Sequence, residues 1–201
     1  MESDAASRPE LVLASASPRR AELLRQLGVA FRVAATDVNE EAVARGLRTP
    51  GGIALARARA KAAAALPAWP QAAVLGADTV VWCRGRSLGK PADAARAAEM
   101  LRFLSGRRHT VATAVVLLCR GDVATAVEYA AVTFRRLDAS EIERYAALAE
   151  PLDKAGGYAI QGVAAAFVRR IEGEYGTVVG LPLCRVCLLL RAIGFRIPAP
   201  A

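Results

Sequence analysis

The stretch Leu11-Val12-Leu13-Ala14-Ser15-Ala16-Ser17-Pro18-Arg19-Arg20 decides the fold. Its first four residues are a short apolar run, which predicts a buried strand. Ser17 then precedes Pro18, the pairing that opens a helix: Ser as N-cap, Pro at the first helical position. Leu23, Leu24 and Leu27 follow at helical spacing, and Gly28 supplies the stop. The reading is strand, tight turn, helix. Arg19 and Arg20 break a local rule, because they place two cations where the helix dipole is already positive, at a cost of about 0.3–1 kcal/mol each. Two guanidiniums, free backbone N–H groups and the hydroxyls of Ser15 and Ser17 at one point make an anion site. The alternative at this stage is a pair of solvated arginines on a first turn.

Working outward, Phe31 to Ala35 reads as a second strand, followed by an acidic loop, Thr36-Asp37-Val38-Asn39-Glu40-Glu41. Thr49-Pro50 repeats the cap-plus-proline signal and opens a long alanine-rich helix to about Leu66, carrying Arg57, Arg59 and Lys61. Ala72 to Ala77 is a short strand leading into Asp78-Thr79, Val80 to Cys83 continues it, and Arg84-Gly85-Arg86-Ser87 is a hairpin turn. A helix capped by Asp93 runs to Leu104. His109–Cys119 and Val123–Phe134 predict a long hairpin joined at Arg120-Gly121-Asp122. A capping box pairs Ser140 with Glu143 on a helix to about Ala149. A glycine-rich loop spans 150–162, Ala164 to Ile171 is a strand, and Leu181 to Gly194 closes the chain as a helix. Strands and helices mix throughout with no repeat and no linker. The class is therefore α/β with a mixed sheet flanked by helices, and one domain over 1–201 with an ordered core of about 10–195 and disordered termini.

The formal net charge of +8, from 27 Lys+Arg against 19 Asp+Glu, favours an acidic ligand. The arginines are scattered and aromatics are 5%, which argues against a stacking surface for single-stranded nucleic acid. No apolar run approaches the roughly 18–20 residues of a membrane span. Met1-Glu2-Ser3-Asp4 lacks the basic start of a secretory leader, so the expected location is the cytoplasm. Of four cysteines, Cys184 and Cys187 have redox or zinc half-site spacing, but a second pair is missing. Their apolar helical run predicts buried, inert thiols.

Several residues carry possible chemistry. Asp78, at the expected carboxyl end of a buried strand, lies where open α/β sheets bind ligands; the alternative is a turn cap. Thr79 beside it offers a hydroxyl. Gly85 to Pro91 looks like a phosphate loop but is one residue short, and Pro91 stands where a hydroxyl is needed, so a Walker site is rejected. Lys90 still offers a point charge for phosphate, as does Lys61 unless it is simply solvated. Glu40 can pair with Asp78 to hold a divalent ion, two carboxylates being a usual Mg²⁺ set; a solvated acidic turn is the alternative. Gln161 can read a base edge with its paired donor and acceptor. Lys90 and Arg20 are both expected to point into a solvated cleft. Together these groups suit a nucleoside triphosphate and its metal.

The motifs resemble those of the Maf family of nucleotide pyrophosphatases: Ala14–Arg20, Gly76-Ala77-Asp78-Thr79, Gly89-Lys90-Pro91, Leu104-Ser105-Gly106, Pro151–Gly156, Tyr158–Gly162 and Val179–Leu183. The resemblance spans Leu11 to about Gly194. It implies a mixed α/β fold with a central nucleotide-binding cleft, frequent dimers, and hydrolysis of a nucleoside triphosphate to monophosphate and pyrophosphate with Mg²⁺ or Mn²⁺. It further implies Asp78 as catalytic aspartate, Lys61 and Lys90 as substrate lysines, and Ser15, Arg19 and Arg20 as the serine–arginine motif. The acidic loop of the family commonly ends in two acids; here the first is Asn39, which leaves Glu40 as its metal-side carboxylate. Arg19, Thr79 and Gln161 match the three positions of members acting on dTTP and UTP. The alternatives are a 7-methyl-GTP pyrophosphatase and a nucleotide-binding regulator of septum formation, a process to which Maf proteins have been linked.

Overall fold

A computed structural model describes residues 8–197. The expected disorder of the termini falls on 1–7 and 198–201, which lie outside the described residues.

The chain builds a seven-stranded mixed sheet whose strand order is Arg32–Val33 (β2), Leu11–Ala14 (β1), Ala73–Cys83 (β3), Arg108–Cys119 (β5), Asp122–Phe134 (β6) and Val168–Glu172 (β7), with Arg86–Leu88 (β4) on the far part of β3. Strand β1 (Leu11–Ala14) is followed by helix α1 (Pro18–Arg25), strand β2 (Arg32–Val33), a short helix α2 (Glu40–Val43) and helix α3 (Pro50–Ala65). Strand β3 (Ala73–Cys83) makes a hairpin with β4 (Arg86–Leu88), then come helix α4 (Ala94–Leu104) and the long hairpin β5 (Arg108–Cys119) and β6 (Asp122–Phe134). Helix α5 (Ala139–Ala146), strand β7 (Val168–Glu172), helix α6 (Tyr175–Val179) and helix α7 (Leu183–Ala192) complete it. This is the α/β class expected, a mixed sheet flanked by helices.

Strand β1 explains why an unbroken apolar run was needed. It lies parallel to both β2 and β3, and both its faces are covered. Leu11 and Leu13 join the larger core with Leu24, Leu75, Leu101 and Val115. Val12 and Ala14 join a second core with Ala54, Ala58, Ala62 and Val74 beneath α3. That second core is made of small side chains, so α3 lies very close to the sheet. A Cβ on Gly76 would sit 2.3 Å from the Ala58 carbonyl oxygen and 2.9 Å from the Ala62 methyl. Only glycine in β3 permits this approach.

Four local expectations need correction. The second strand is only Arg32–Val33, both exposed, at the sheet edge. The capping box is Asp138 with Glu141: Asp138 accepts from Glu141 N at 2.7 Å and Glu141 accepts from Asp138 N at 3.3 Å. Ser140 instead donates to Asp138 at 2.8 Å. The segment from Ala164 begins as a 3-10 turn, Val163–Phe167, before β7. Its buried residues are Ala164 and Phe167, three apart, which is turn spacing rather than strand alternation. Finally, Cys184 is exposed and Cys187 half-buried. The buried stripe of α7 is Val186 and Leu190, and the two thiols fall beside it.

Candidate active site

Asp78 sits in the middle of β3, an 11-residue strand, not at its carboxyl end, and does not cap a turn. The expectation was nonetheless close, because the parallel part of the sheet ends here. Ala14, the last residue of β1, pairs with Gly76. Beyond that point β3 loses its parallel neighbour, and a cleft of about 760 Å³ opens against it. Side chains alternate along β3. Asp78 therefore faces the α3 side with Val74 and Val80, while Thr79 faces the other side with Leu75 and Val81. Because the strand is uncovered at this edge, both reach the same cleft.

On the Asp78 side, the closeness of α3 sets the geometry. Lys61 Nζ donates to Asp78 Oδ1 at 2.6 Å and lies 2.7 Å from Glu40 Oε1. Arg57, one helical turn earlier, donates from Nε to the Glu40 backbone carbonyl at 3.1 Å. Its Nη1 lies 3.6 Å from Glu40 Oε2 and 3.8 Å from Asp78 Oδ2. Glu40 opens α2, and Asn39 caps that helix by accepting from Ala42 N at 3.0 Å. Asn39 thus has a structural task; Glu40 and Glu41 both line the cleft, and Glu40 is the one paired with Lys61 and Arg57. Burial works to raise the Glu40 pKa, but the Lys61 hydrogen bond and the charges of Lys61, Arg57 and Lys90 outweigh it, and the net direction is down. The carboxylate is anionic at neutral pH. Asp78 Oδ2 is buried without a hydrogen-bond partner.

On the Thr79 side, Arg20 lines the cleft as expected, but it is half-buried and tied at three points. Its Nε donates to the Gly180 carbonyl at 2.9 Å, Nη1 to Ser15 Oγ at 3.3 Å and Nη2 to Thr79 Oγ1 at 3.2 Å. Its placement follows from α1: the N-terminus of that helix meets the Gly180 turn that follows α6. Thr113 Oγ1 donates to the Thr177 carbonyl at 2.7 Å and lies 2.9 Å from Thr79 Oγ1. A hydroxyl has one proton, so Thr79 must donate to Thr113. Burial lowers the pKa of Arg20, opposed by the charges of Asp78 and Glu40. Burial also lowers that of Arg19, opposed by Asp153. Ser17 stands at the N-cap of α1 but makes no side-chain capping bond; its N–H donates to Ser15 Oγ at 3.2 Å.

All nine residues singled out from the sequence line this one cleft: Ser15, Arg19, Arg20, Glu40, Lys61, Asp78, Thr79, Lys90 and Gln161. Lys90 and Gln161 are exposed on loops that line it. Sequence reasoning named Arg57 without a role, though its position four residues before Lys61 places both on one helix face. It passed over the ion pair of Asp153 and Lys154, which lines the cleft inside a quoted motif. It also passed over Thr113, which only the register of β5 against β3, Thr79 opposite Thr113, could reveal.

The fold and this cleft define an α/β protein whose ligand site sets paired carboxylates under cations at the end of a parallel strand pair. The chain belongs to the Maf-like proteins: the family model of that description matches residues 10–193. A dTTP/UTP pyrophosphatase of Moorella thermoacetica is 53% identical over 188 residues, 92% of this chain and 95% of that protein. One of Pelotomaculum thermopropionicum is 47% identical over 190 residues, 94% of this chain and 98% of that protein. One of Salmonella typhimurium is 48% identical over 180 residues, 90% of this chain and 91% of that protein.

Proposed function

We propose that this chain is a nucleoside triphosphate pyrophosphatase that hydrolyses dTTP and UTP to the monophosphate and pyrophosphate. The observation that carries the reading is the floor of the cleft, where Lys61 bridges Asp78 and Glu40 within 2.7 Å of each. The relatives named dTTP/UTP pyrophosphatase supply the substrate. In the reaction, a water oxygen bonds to the α-phosphorus, the α–β bridging bond breaks, and pyrophosphate leaves with that bridging oxygen.

Asp78 is the catalytic carboxylate of this reading. Oδ1 is committed to Lys61, while Oδ2 accepts no hydrogen bond and has only the longer ion pair to Arg57 at 3.8 Å, which leaves its lone pairs for a water proton or a cation. Asp78 and Glu40 fit a divalent metal, Mg²⁺ or Mn²⁺: both offer hard oxygens, and Asp78 Oδ2 is a buried anion oxygen that no hydrogen bond satisfies. Among the described residues no cluster of three or more His, Cys, Asp or Glu is placed for a metal, so phosphate oxygens and water would complete the shell. When bound, such an ion neutralises charge developing on the phosphates. Lys61 and Lys90 serve the phosphates as point charges, Ser15 and Arg20 shape the anion site, and Arg19, Thr79 and Gln161 meet the base.

Among the described residues no helix is long and apolar enough to cross a membrane. A cytoplasmic homodimer accompanies this reading. The test is a nucleotide panel with product identification. UMP and pyrophosphate from UTP, dependent on Mg²⁺ or Mn²⁺, support it; UDP with inorganic phosphate, or no turnover of any triphosphate, rejects it.

A further inference from the structure

The loop that carries Gln161 is held from outside the cleft. Gly162 N donates to the Ala159 carbonyl at 3.1 Å, which closes a turn around Gln161. That turn is then fixed at both ends. Ala159 N donates to Tyr145 Oη at 3.1 Å, and Val163 N donates to Glu150 Oε2 at 3.4 Å. The two holders are joined: Tyr145 Oη donates to Glu150 Oε1 at 2.7 Å.

Proton counting gives the network one arrangement. The phenol has a single proton, which goes to Glu150, and its lone pairs receive Ala159 N–H. Glu150 accepts from both sides. A Cβ on Gly162 would lie 2.0 Å from Glu150 Oε2, so glycine there is what lets the carboxylate sit beneath the loop. Tyr145 is 2% exposed and packs edge-on to Phe167 with ring centroids 5.1 Å apart. It stands on α5, whose start is locked by the Asp138–Glu141 box and by Arg135, bidentate on Glu141. Burial, helped by Glu150, pushes the phenol pKa well up, so it stays a donor at every working pH. Neither Tyr145 nor Glu150 lines the cleft, whereas Tyr158, Ile160 and Gln161 do.

We propose that Tyr145 and Glu150 are positioning residues for base recognition: by stapling the loop on either side of Gln161 they fix where its amide meets the pyrimidine. This rests on the reading of Gln161 as a base-reading residue. A loop amide held at two backbone points loses little freedom on binding, so removing either holder weakens the base contact without touching the phosphate chemistry.

The test measures kcat and KM for UTP and GTP in the full chain and in Tyr145→Phe, Glu150→Gln, Gln161→Ala and the double variant Tyr145→Phe/Gln161→Ala, with thermal melts alongside. Expected is a rise in KM for UTP of about threefold or more in Tyr145→Phe and in Glu150→Gln, with kcat held and the UTP-to-GTP preference reduced. In the Gln161→Ala background, Tyr145→Phe should reduce that preference no further, because both act through one contact. If Gln161→Ala lowers the preference and neither Tyr145→Phe nor Glu150→Gln does, the staple is overturned and the base reading stands. A further equal loss in the double variant also overturns it. If Gln161→Ala leaves the preference unchanged, the base reading fails and the staple falls with it. Should Tyr145→Phe fail to fold, Glu150→Gln alone decides, since its NH₂ takes the place of one of the two acceptor oxygens and so releases one of the two holds on the same loop.

Discussion

The Lys61 ammonium donates to Asp78 Oδ1 at 2.6 Å, with the two side chains only 12% and 6% exposed. An ion pair this enclosed is costly to break from either side, because the remaining charge stays buried. Asp78→Asn avoids that cost. Its amide oxygen still accepts from Lys61, which keeps Glu40 as its anionic partner, and its NH₂ replaces an Oδ2 that accepts no hydrogen bond and meets only Arg57, at 3.8 Å. The variant is expected to fold, with a circular dichroism spectrum like that of the parent, and to lose turnover of UTP by at least about 10²-fold. Retained turnover would make Asp78 a structural partner of Lys61 and nothing more.

Arg20 and Lys90 both line the cleft, as the sequence led one to expect, but Arg20 is half-buried and bonded while Lys90 is exposed. Lys90→Ala removes an exposed cation and should leave the melting temperature unchanged while raising KM for UTP, with an effect that shrinks as salt is added. Arg20→Ala strips partners from the Gly180 carbonyl, Ser15 and Thr79 at once. Leaving such groups unpaired costs about 1–3 kcal/mol each where buried, and each kcal/mol lowers Tm by about 2–4 °C in a chain of this size. A drop of several degrees for Arg20→Ala and none for Lys90→Ala is expected by scanning calorimetry. Equal melts would show that the Arg20 bonds carry no stability.

What the sequence revealed and what it hid have the same physical origin. Thr49-Pro50 and Asp93 announced their helices because caps act within one turn of chain, and Ser17-Pro18 did so through the proline at the first helical position, Ser17 making no capping bond. The convergence of Asp78, Lys61 and Glu40 was legible through motifs, but its cause was not. It depends on Gly76 lying under Ala58 and Ala62, a contact between elements that no local pattern encodes. Thr113 was hidden for the same reason: its role follows from strand register across 34 residues. The misplaced capping box shows a local failure, since Asp138-x-x-Glu141 and Ser140-x-x-Glu143 satisfy one spacing rule. Arg135, gripping Glu141 from the end of β6, decides between them.

His109 should make the fold acid-sensitive well above the carboxylate range. Burial lowers its pKa from 6.5 to about 4, and its Nε2 shares a hydrogen bond of 2.9 Å with Tyr158 Oη. Between those values the unfolded chain binds a proton that the folded chain refuses. Stability therefore rises with pH through this window: it is full above about pH 6.5 and is lost as pH falls toward 4. A shift of this size corresponds to about 3 kcal/mol. Urea unfolding at steps from pH 7.5 to 4.5 should show the slope, and His109→Gln, which keeps a polar partner for Tyr158 but does not titrate, should flatten it. A parallel slope in both proteins would assign the acid sensitivity to other groups.

Base preference is the most specific expectation. A uracil or thymine ring presents a carbonyl, N3–H, carbonyl edge, and the Gln161 amide can accept from the N–H and donate to a carbonyl. The Arg19 guanidinium can donate to the other carbonyl, and Thr79, its proton committed to Thr113, offers only an acceptor to a ligand. UTP and dTTP should therefore be turned over faster than GTP or 7-methyl-GTP. The last of these carries positive charge on its ring, which Arg19 repels and which an aromatic face and a carboxylate would attract. Replacing Arg19 by Trp and Gln161 by Glu supplies both. Gln161 is exposed on a loop held by its backbone, and Arg19 makes no bond to the core of the kind that Arg20 makes, so the double variant should fold. It is expected to lose at least about tenfold in kcat/KM for UTP, the loss set by polar groups left unpaired, and to gain activity on 7-methyl-GTP. Steady-state rates on the four triphosphates decide the matter. If the parent chain hydrolysed 7-methyl-GTP faster than UTP, Arg19 and Gln161 would not be reading a pyrimidine, whatever the chemistry at Asp78.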